Sequence, residues 1–143
     1  MKMGNREIQY INALESITGA NARGCVITPN AVMFMVSADQ MKFAIGKDGK
    51  NIKRVREKLG VNIDIFEYAE RPEDFVVKAL KGIKMDNIEV KSGSGEKSMS
   101  LGIDAENRKK LMINPGRMKS VRAIVKEGYG IGSIKFSGGM QYG

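Results

Sequence analysis

Histidine and tryptophan are absent from this sequence, and cysteine occurs once, at Cys25. Without histidine the chain lacks the commonest acid–base and metal-ligating group at neutral pH. The single thiol has no intrachain partner, so a disulfide framework is excluded, and no imidazole is available to activate it as a nucleophile. Its setting, Cys25-Val26-Ile27, predicts a small buried hydrophobe. A reducing cytoplasm is the expected compartment. Long apolar runs are also missing: none approaches the roughly 18 residues a membrane span requires. The charged start, with Lys2, Arg6 and Glu7, has no secretory core. No membrane partner is expected.

Acids are the scarcer charge. Sixteen Asp and Glu face 24 Lys and Arg, a formal net charge of +8, which suits a polyanionic partner or serves solubility alone. Hydrophobic residues at 42% and charged ones at 28% place the 143 residues among folded chains, with length for one domain or two small ones.

Periodicity predicts a helix over residues 5 to 19, with Tyr10, Leu14 and Ile17 on one face and Gly19 at its end. Two strands follow, Gly24 to Thr28 and Ala31 to Ser37, separated by the turn pair Pro29-Asn30. In the second strand Val32, Phe34 and Val36 share one face, and Met33 and Met35 the other. Ser37-Ala38-Asp39-Gln40 matches a capping box ahead of a short helix through Met41, Ala44 and Ile45. After residues 46 to 49, Ile52, Val55 and Leu59 mark another helix, stopped at Gly60, and Val61, Ile63 and Ile65 alternate as a half-buried strand.

At Glu70-Arg71-Pro72-Glu73-Asp74 the composition shifts to a charged connector, where the boundary between two domains, 1–69 and 70–143, is placed. The order then repeats. A helix over Val76, Leu80 and Ile83 precedes a strand from Ile88 to Lys91, a flexible Ser92-Gly93-Ser94-Gly95, and a strand alternating Met99, Leu101 and Ile103. Asp104 caps a helix toward Leu111, Asn114-Pro115-Gly116-Arg117 reads as a turn, and a helix carries Val121, Ile124 and Val125 to Gly128-Tyr129-Gly130. A strand from Ser133 to Phe136 and a frayed tail from Ser137 complete it. Laying Val121 on Ile52 and Ile124 on Val55 gives a shift of 69 positions, an internal repeat in which Pro115 and Met118 stand at Gly46 and Gly49. Each half is an α+β unit, a small sheet covered by helices.

The stretch between the helices of the first half is Ile45-Gly46-Lys47-Asp48-Gly49-Lys50-Asn51-Ile52. Two glycines three apart let the backbone turn sharply and approach another chain, and the following helix start would present free amides and the positive end of its dipole to an anion. A plain glycine turn between helices fits these eight residues equally well. Lys42, Lys47, Lys50, Lys53, Arg54, Arg56 and Lys58 crowd around it against Asp48 and Glu57. Cations at a helix start oppose the dipole, and a bound anion would relieve the conflict. Arg117, Lys119 and Arg122 hold the matching place in the second half. Fingerprints of nucleotide enzymes fail: no Gly-Lys-Ser/Thr follows at P-loop spacing, and the loop joins two helices, not a strand to a helix. Asp39, Glu73-Asp74, Asp104 and Glu106 read as helix-start charges, so no enzyme, cofactor or small-molecule substrate is expected.

With its flanking helices and following strand, Ile45 to Ile52 resembles the Gly-X-X-Gly signature of the KH domain, a single-stranded nucleic-acid module. The preceding helix and strand pair match its type II arrangement, and two such units in tandem resemble the archaeal NusA-like family of transcription factors. The resemblance implies two tandem type II KH domains, each with a three-stranded sheet under helices, that bind single-stranded RNA in transcription termination or antitermination. RNA polymerase is a further partner it implies, although the polymerase-binding region of bacterial members has no room in 143 residues. Carried over by position, Gly46 and Gly49 give close approach, Ile45 and Ile52 line the groove or belong to the core, and Lys47, Lys50, Asn51, Lys53 and Arg54 surround the strand, with Asp48 opposing its phosphates. Arg117, Lys119 and Arg122 add charge from a second domain whose loop is degenerate. The alternative is a docking scaffold of the same fold on RNA polymerase or the ribosome, its basic surface incidental; saturable, loop-dependent RNA binding separates the two.

Overall fold

Valine, phenylalanine and methionine fill the strand after Pro29-Asn30, and that strand lies at the centre of the first sheet. The computed structural model describes residues 3–93 and 95–137, and divides between Ala69 and Glu70 into two compact units. The first unit runs α1 (Asn5–Thr18), β1 (Ala22–Ile27), β2 (Val32–Val36), α2 (Met41–Ile45), α3 (Lys50–Leu59) and β3 (Ile63–Glu67). β1 pairs antiparallel with β2, and β2 parallel with β3, so Phe34 lies between Cys25 and Ile65. Leu14, Val32, Phe34, Val36, Ala44, Val55, Ile63 and Ile65 form the core under the helices. Met33 and Met35, on the other face of β2, are buried as well.

The second unit repeats the order as α4 (Pro72–Ala79), β4 (Asn87–Lys91), β5 (Lys97–Gly102), α5 (Ala105–Ile113), α6 (Pro115–Tyr129) and β6 (Ile131–Ser137). Its sheet has the same connectivity, with β4–β5 antiparallel and β5–β6 parallel, and Met99 lies between Val90 and Ile134. The expected α+β class of two small sheets under helices is what the chain adopts.

Four local expectations fail. The capping box does not form: Ser37 makes no side-chain cap, and Gln40 Oε1 accepts from the Asn21 amide instead, so a 3-10 turn over Ala38–Gln40 leads into α2. α4 stops at Ala79, because a turn closed by the Ile83 amide on the Leu80 carbonyl releases the chain toward β4. Asn114 to Arg117 is not a loop, since Pro115 occupies the first position of α6, where its missing N–H costs nothing, and Asn114 Oδ1 accepts from the Arg117 amide. Ser137 belongs to β6, and the rest of the expected frayed tail lies outside the described residues, as does Ser94 of the expected flexible segment. Asp104 does cap α5: its Oδ1 accepts from the Asn107 amide, and that bond holds the carboxyl below its ordinary range.

Cys25 is buried, and burial first, then the charge of Glu7, pushes its thiol up from 9.0 to about 12. A pKa raised by folding leaves stability intact below pH 9.0 and withdraws it as pH rises toward about 12. Iodoacetamide at pH 8 is expected to leave the native chain unlabelled and to label it fully in denaturant. Rapid labelling of the native chain would contradict this burial.

Candidate nucleic-acid interface

Gly46 and Gly49 both adopt positive φ, +76° each, a region in which glycine alone among common residues is unstrained. At Gly46 space is short as well: an added Cβ would lie 2.7 Å from Asn51 Cγ and 2.8 Å from the Asn51 backbone nitrogen. Gly49 is open, with only Ile52 Cγ2 at 3.8 Å from such a Cβ. Between them Lys47–Gly49 makes a 3-10 turn in which Asp48 has φ 56°, ψ 26°. Among the described residues Asp48 is the one non-glycine with positive φ, a conformation aspartate tolerates better than most side chains.

The loop is held from inside. Asn51 Nδ2 donates to the Phe43 carbonyl at 2.6 Å, tying the first turn of α3 to α2. The Gly46 amide donates to the Lys42 carbonyl, the Gly49 amide to the Gly46 carbonyl, and the Lys50 amide to the Lys47 carbonyl. These three hydrogens shape the turn, and of them only that of Lys50 belongs to the start of α3. Lys47, Lys50, Lys53 and Arg54 are exposed, as is Asp48. Arg56 is committed elsewhere, its Nε and Nη2 donating to the Ile63 carbonyl at 3.2 and 3.0 Å. Ile45 and Ile52 are half-buried and pack against the core, so their first role is to anchor the loop's two ends.

Sequence reasoning missed Phe43. Its ring is 45% exposed on α2, three residues before Gly46, with Lys42 Nζ 5.2 Å from the ring centroid. The signal was available: an aromatic residue in a basic stretch, off the apolar stripe of Met41, Ala44 and Ile45.

The second unit differs at the matching place. α5 and α6 are separated by Asn114 alone, and the first turn of α6, Pro115 to Met118, is helical where the first unit has its glycine loop. Arg117 Nε donates to the Ala79 carbonyl at 2.9 Å and Arg122 Nη1 to the Ile134 carbonyl at 3.0 Å, while Lys119 is exposed. The twelve expected site residues therefore fall into two groups, Ile45 to Arg54 on the loop and α3, and Arg117, Lys119 and Arg122 on α6 of the other unit.

Comparison with known proteins agrees with this architecture. The chain is 26% identical over 117 residues to the probable transcription termination protein NusA of Methanococcus vannielii, a match covering 82% of this chain and 68% of that protein. For the proteins of the same name from Halococcus morrhuae and Methanocaldococcus jannaschii the identities are 31% and 32%, covering 62% and 64% of this chain and 63% and 50% of theirs. The matched stretch thus spans between half and about two thirds of these relatives. The crystal structure of APE1850 superposes with a TM-score of 0.87 at 28% identity, covering 94% of this chain and 100% of that one. The KH domain model itself matches residues 7–95, more than half of the sequence and including the whole loop from Gly46 to Gly49, and on that match the chain belongs to the KH domain family.

Proposed function

We propose that this chain is a non-enzymatic factor that binds single-stranded RNA through the Gly46–Gly49 loop and the start of α3, and acts in transcription termination or antitermination. The observation that carries the reading is the loop itself: two positive-φ glycines, no side chain at the point of closest approach, and four exposed cations around it. A phosphodiester backbone can pass close to Gly46 and Gly49 while Lys47, Lys50, Lys53 and Arg54 neutralise its charge. Asn51 holds the loop in shape, Ile45 supports its near wall, and Phe43 offers a ring on which an unpaired base can stack. Asp48 opposes the phosphates and limits affinity. Arg117, Lys119 and Arg122 lie on α6, where helix stands in place of the glycine loop, and we leave them out of this grip.

The termination role rests on the names of the archaeal relatives, and it makes RNA polymerase the natural second partner. A buried thiol with no disulfide to require oxidation is compatible with the cytoplasm, where we place the protein. Among the described residues no helix is long and apolar enough to cross a membrane.

Salt dependence tests the electrostatic part. Each phosphate neutralised on a single strand contributes a slope of about −0.7 in log affinity against log salt, so four cations predict about −3. Fluorescence anisotropy with a short labelled RNA between low and physiological salt measures it. A flat dependence would remove the four cations from the interface.

A further inference from the structure

Where the first unit has its loop, the second has an apolar groove. Leu111, Met112, Pro115, Met118 and Phe136 line a cavity of about 400 Å³ between α5, α6 and β6. That volume is within the range of sites that take up a ligand's side chains. Met112 in this lining and Ile113 next to it in sequence are 77% and 83% exposed, the two most exposed large hydrophobic residues among those described. Large apolar side chains gathered at a surface mark an interaction site more often than chance exposure does, and methionine adapts its shape to what it meets.

The rim is charged with one sign. Arg108, Lys119 and Arg122 complete the lining, and no carboxylate lines it. Both guanidinium groups are fixed: Arg108 donates to the Ile103 and Ser137 carbonyls, Arg122 to the Ile134 carbonyl, and both lie over the Phe136 ring at 5.5 and 5.7 Å from its centroid. Held this way they are a preorganised rim with donors to spare, since a guanidinium carries five.

We propose that this groove docks an acidic amphipathic helix of a partner protein, its apolar face in the groove and its carboxylates on Arg108, Lys119 and Arg122. Charge complementarity selects the acidic partner, and the lining selects its apolar face. A nucleic-acid strand fits less well: the floor presents no hydrogen-bonding group to read base edges, and helix replaces the glycine turn at which a phosphate backbone could approach. An apolar helical face laid into such a groove is a recurrent mode of peptide recognition. The inference is independent of RNA binding in the first unit.

The test uses the full chain with its methionine methyls isotopically labelled. Three probes are titrated separately: a short synthetic helix-forming peptide with Leu and Phe at i, i+3, i+4 and i+7 and Glu and Asp elsewhere, the same peptide with Lys and Arg in place of its acids, and a short single-stranded RNA. The acidic peptide is expected to bind saturably and shift the Met112 and Met118 methyls. Met112→Glu, at an exposed position that leaves packing intact, is expected to weaken that peptide at least about tenfold, a change of about 1.4 kcal/mol, and to leave RNA affinity unchanged. The proposal is overturned if the basic peptide binds as well as the acidic one, if no probe shifts these methyls, or if RNA shifts them at equal or lower concentration. Loss of RNA affinity in Met112→Glu would also overturn it, by assigning the groove to nucleic acid.

Discussion

Replacing Gly46 and Gly49 together by aspartate is expected to weaken single-stranded RNA binding at least about 100-fold, or about 2.7 kcal/mol, while leaving the far-ultraviolet circular dichroism unchanged. Two effects combine. A side chain at Gly46 meets Asn51 Cγ and the Asn51 nitrogen well inside contact distance, so the bond from Asn51 Nδ2 to the Phe43 carbonyl must give way and the loop must shift. Two carboxylates also enter a surface whose cations are Lys47, Lys50, Lys53 and Arg54. The single variants separate these effects. Gly49→Asn keeps the charge and tolerates positive φ, with only Ile52 Cγ2 nearby, so it should lose little; Gly46→Ala adds no charge yet should lose much of the affinity. Affinity within twofold of wild type in the folded double variant would remove the loop from the binding surface.

Phe34→Ala is expected to cost about 3–5 kcal/mol, a large share of the roughly 5–15 kcal/mol that stabilises a typical domain. Phe34 is fully buried at the centre of the first sheet, between Cys25 on β1 and Ile65 on β3, and packs in one cluster with Leu14, Val55 and Ile63. Few atoms there can move to fill the space a lost ring leaves. Urea unfolding followed by circular dichroism measures the change. A loss below about 1 kcal/mol would mean that the strand is not the packed centre described above.

Much of the fold was legible because it is written locally. The apolar spacing of Ile52, Val55 and Leu59 and the stop at Gly60 locate α3, and alternation about Ile63 and Ile65 locates β3. The paired glycines announced a sharp turn, which the chain makes with positive φ at both positions. What failed was non-local or ambiguous by chemistry. Gln40 obeyed the capping pattern in sequence, but Asn21, nineteen residues earlier, offered its amide in competition. Pro115-Gly116 is a turn pair by preference and also an acceptable helix start, and only the capping by Asn114 decides between them. The fixing of the loop by Asn51 on the Phe43 carbonyl joins residues eight apart across two helices, and no periodicity announces it. Likewise Phe136 and Met112 are far apart in sequence and share a groove only because β6 runs beside α5 and α6. The left-handed Asp48 was hidden by its own side chain, which read as a charge opposed to phosphate and not as a residue suited to that turn.

RNA is expected to pass over the Gly46–Gly49 loop. The most direct measurement is an amide chemical-shift titration of the isotopically labelled chain with a short single-stranded RNA at physiological salt. The account predicts saturable shifts concentrated between Phe43 and Arg54, largest at Lys47, Asp48 and Gly49. Saturable binding that leaves those amides unmoved, with the shifts gathered elsewhere on the chain, would contradict it.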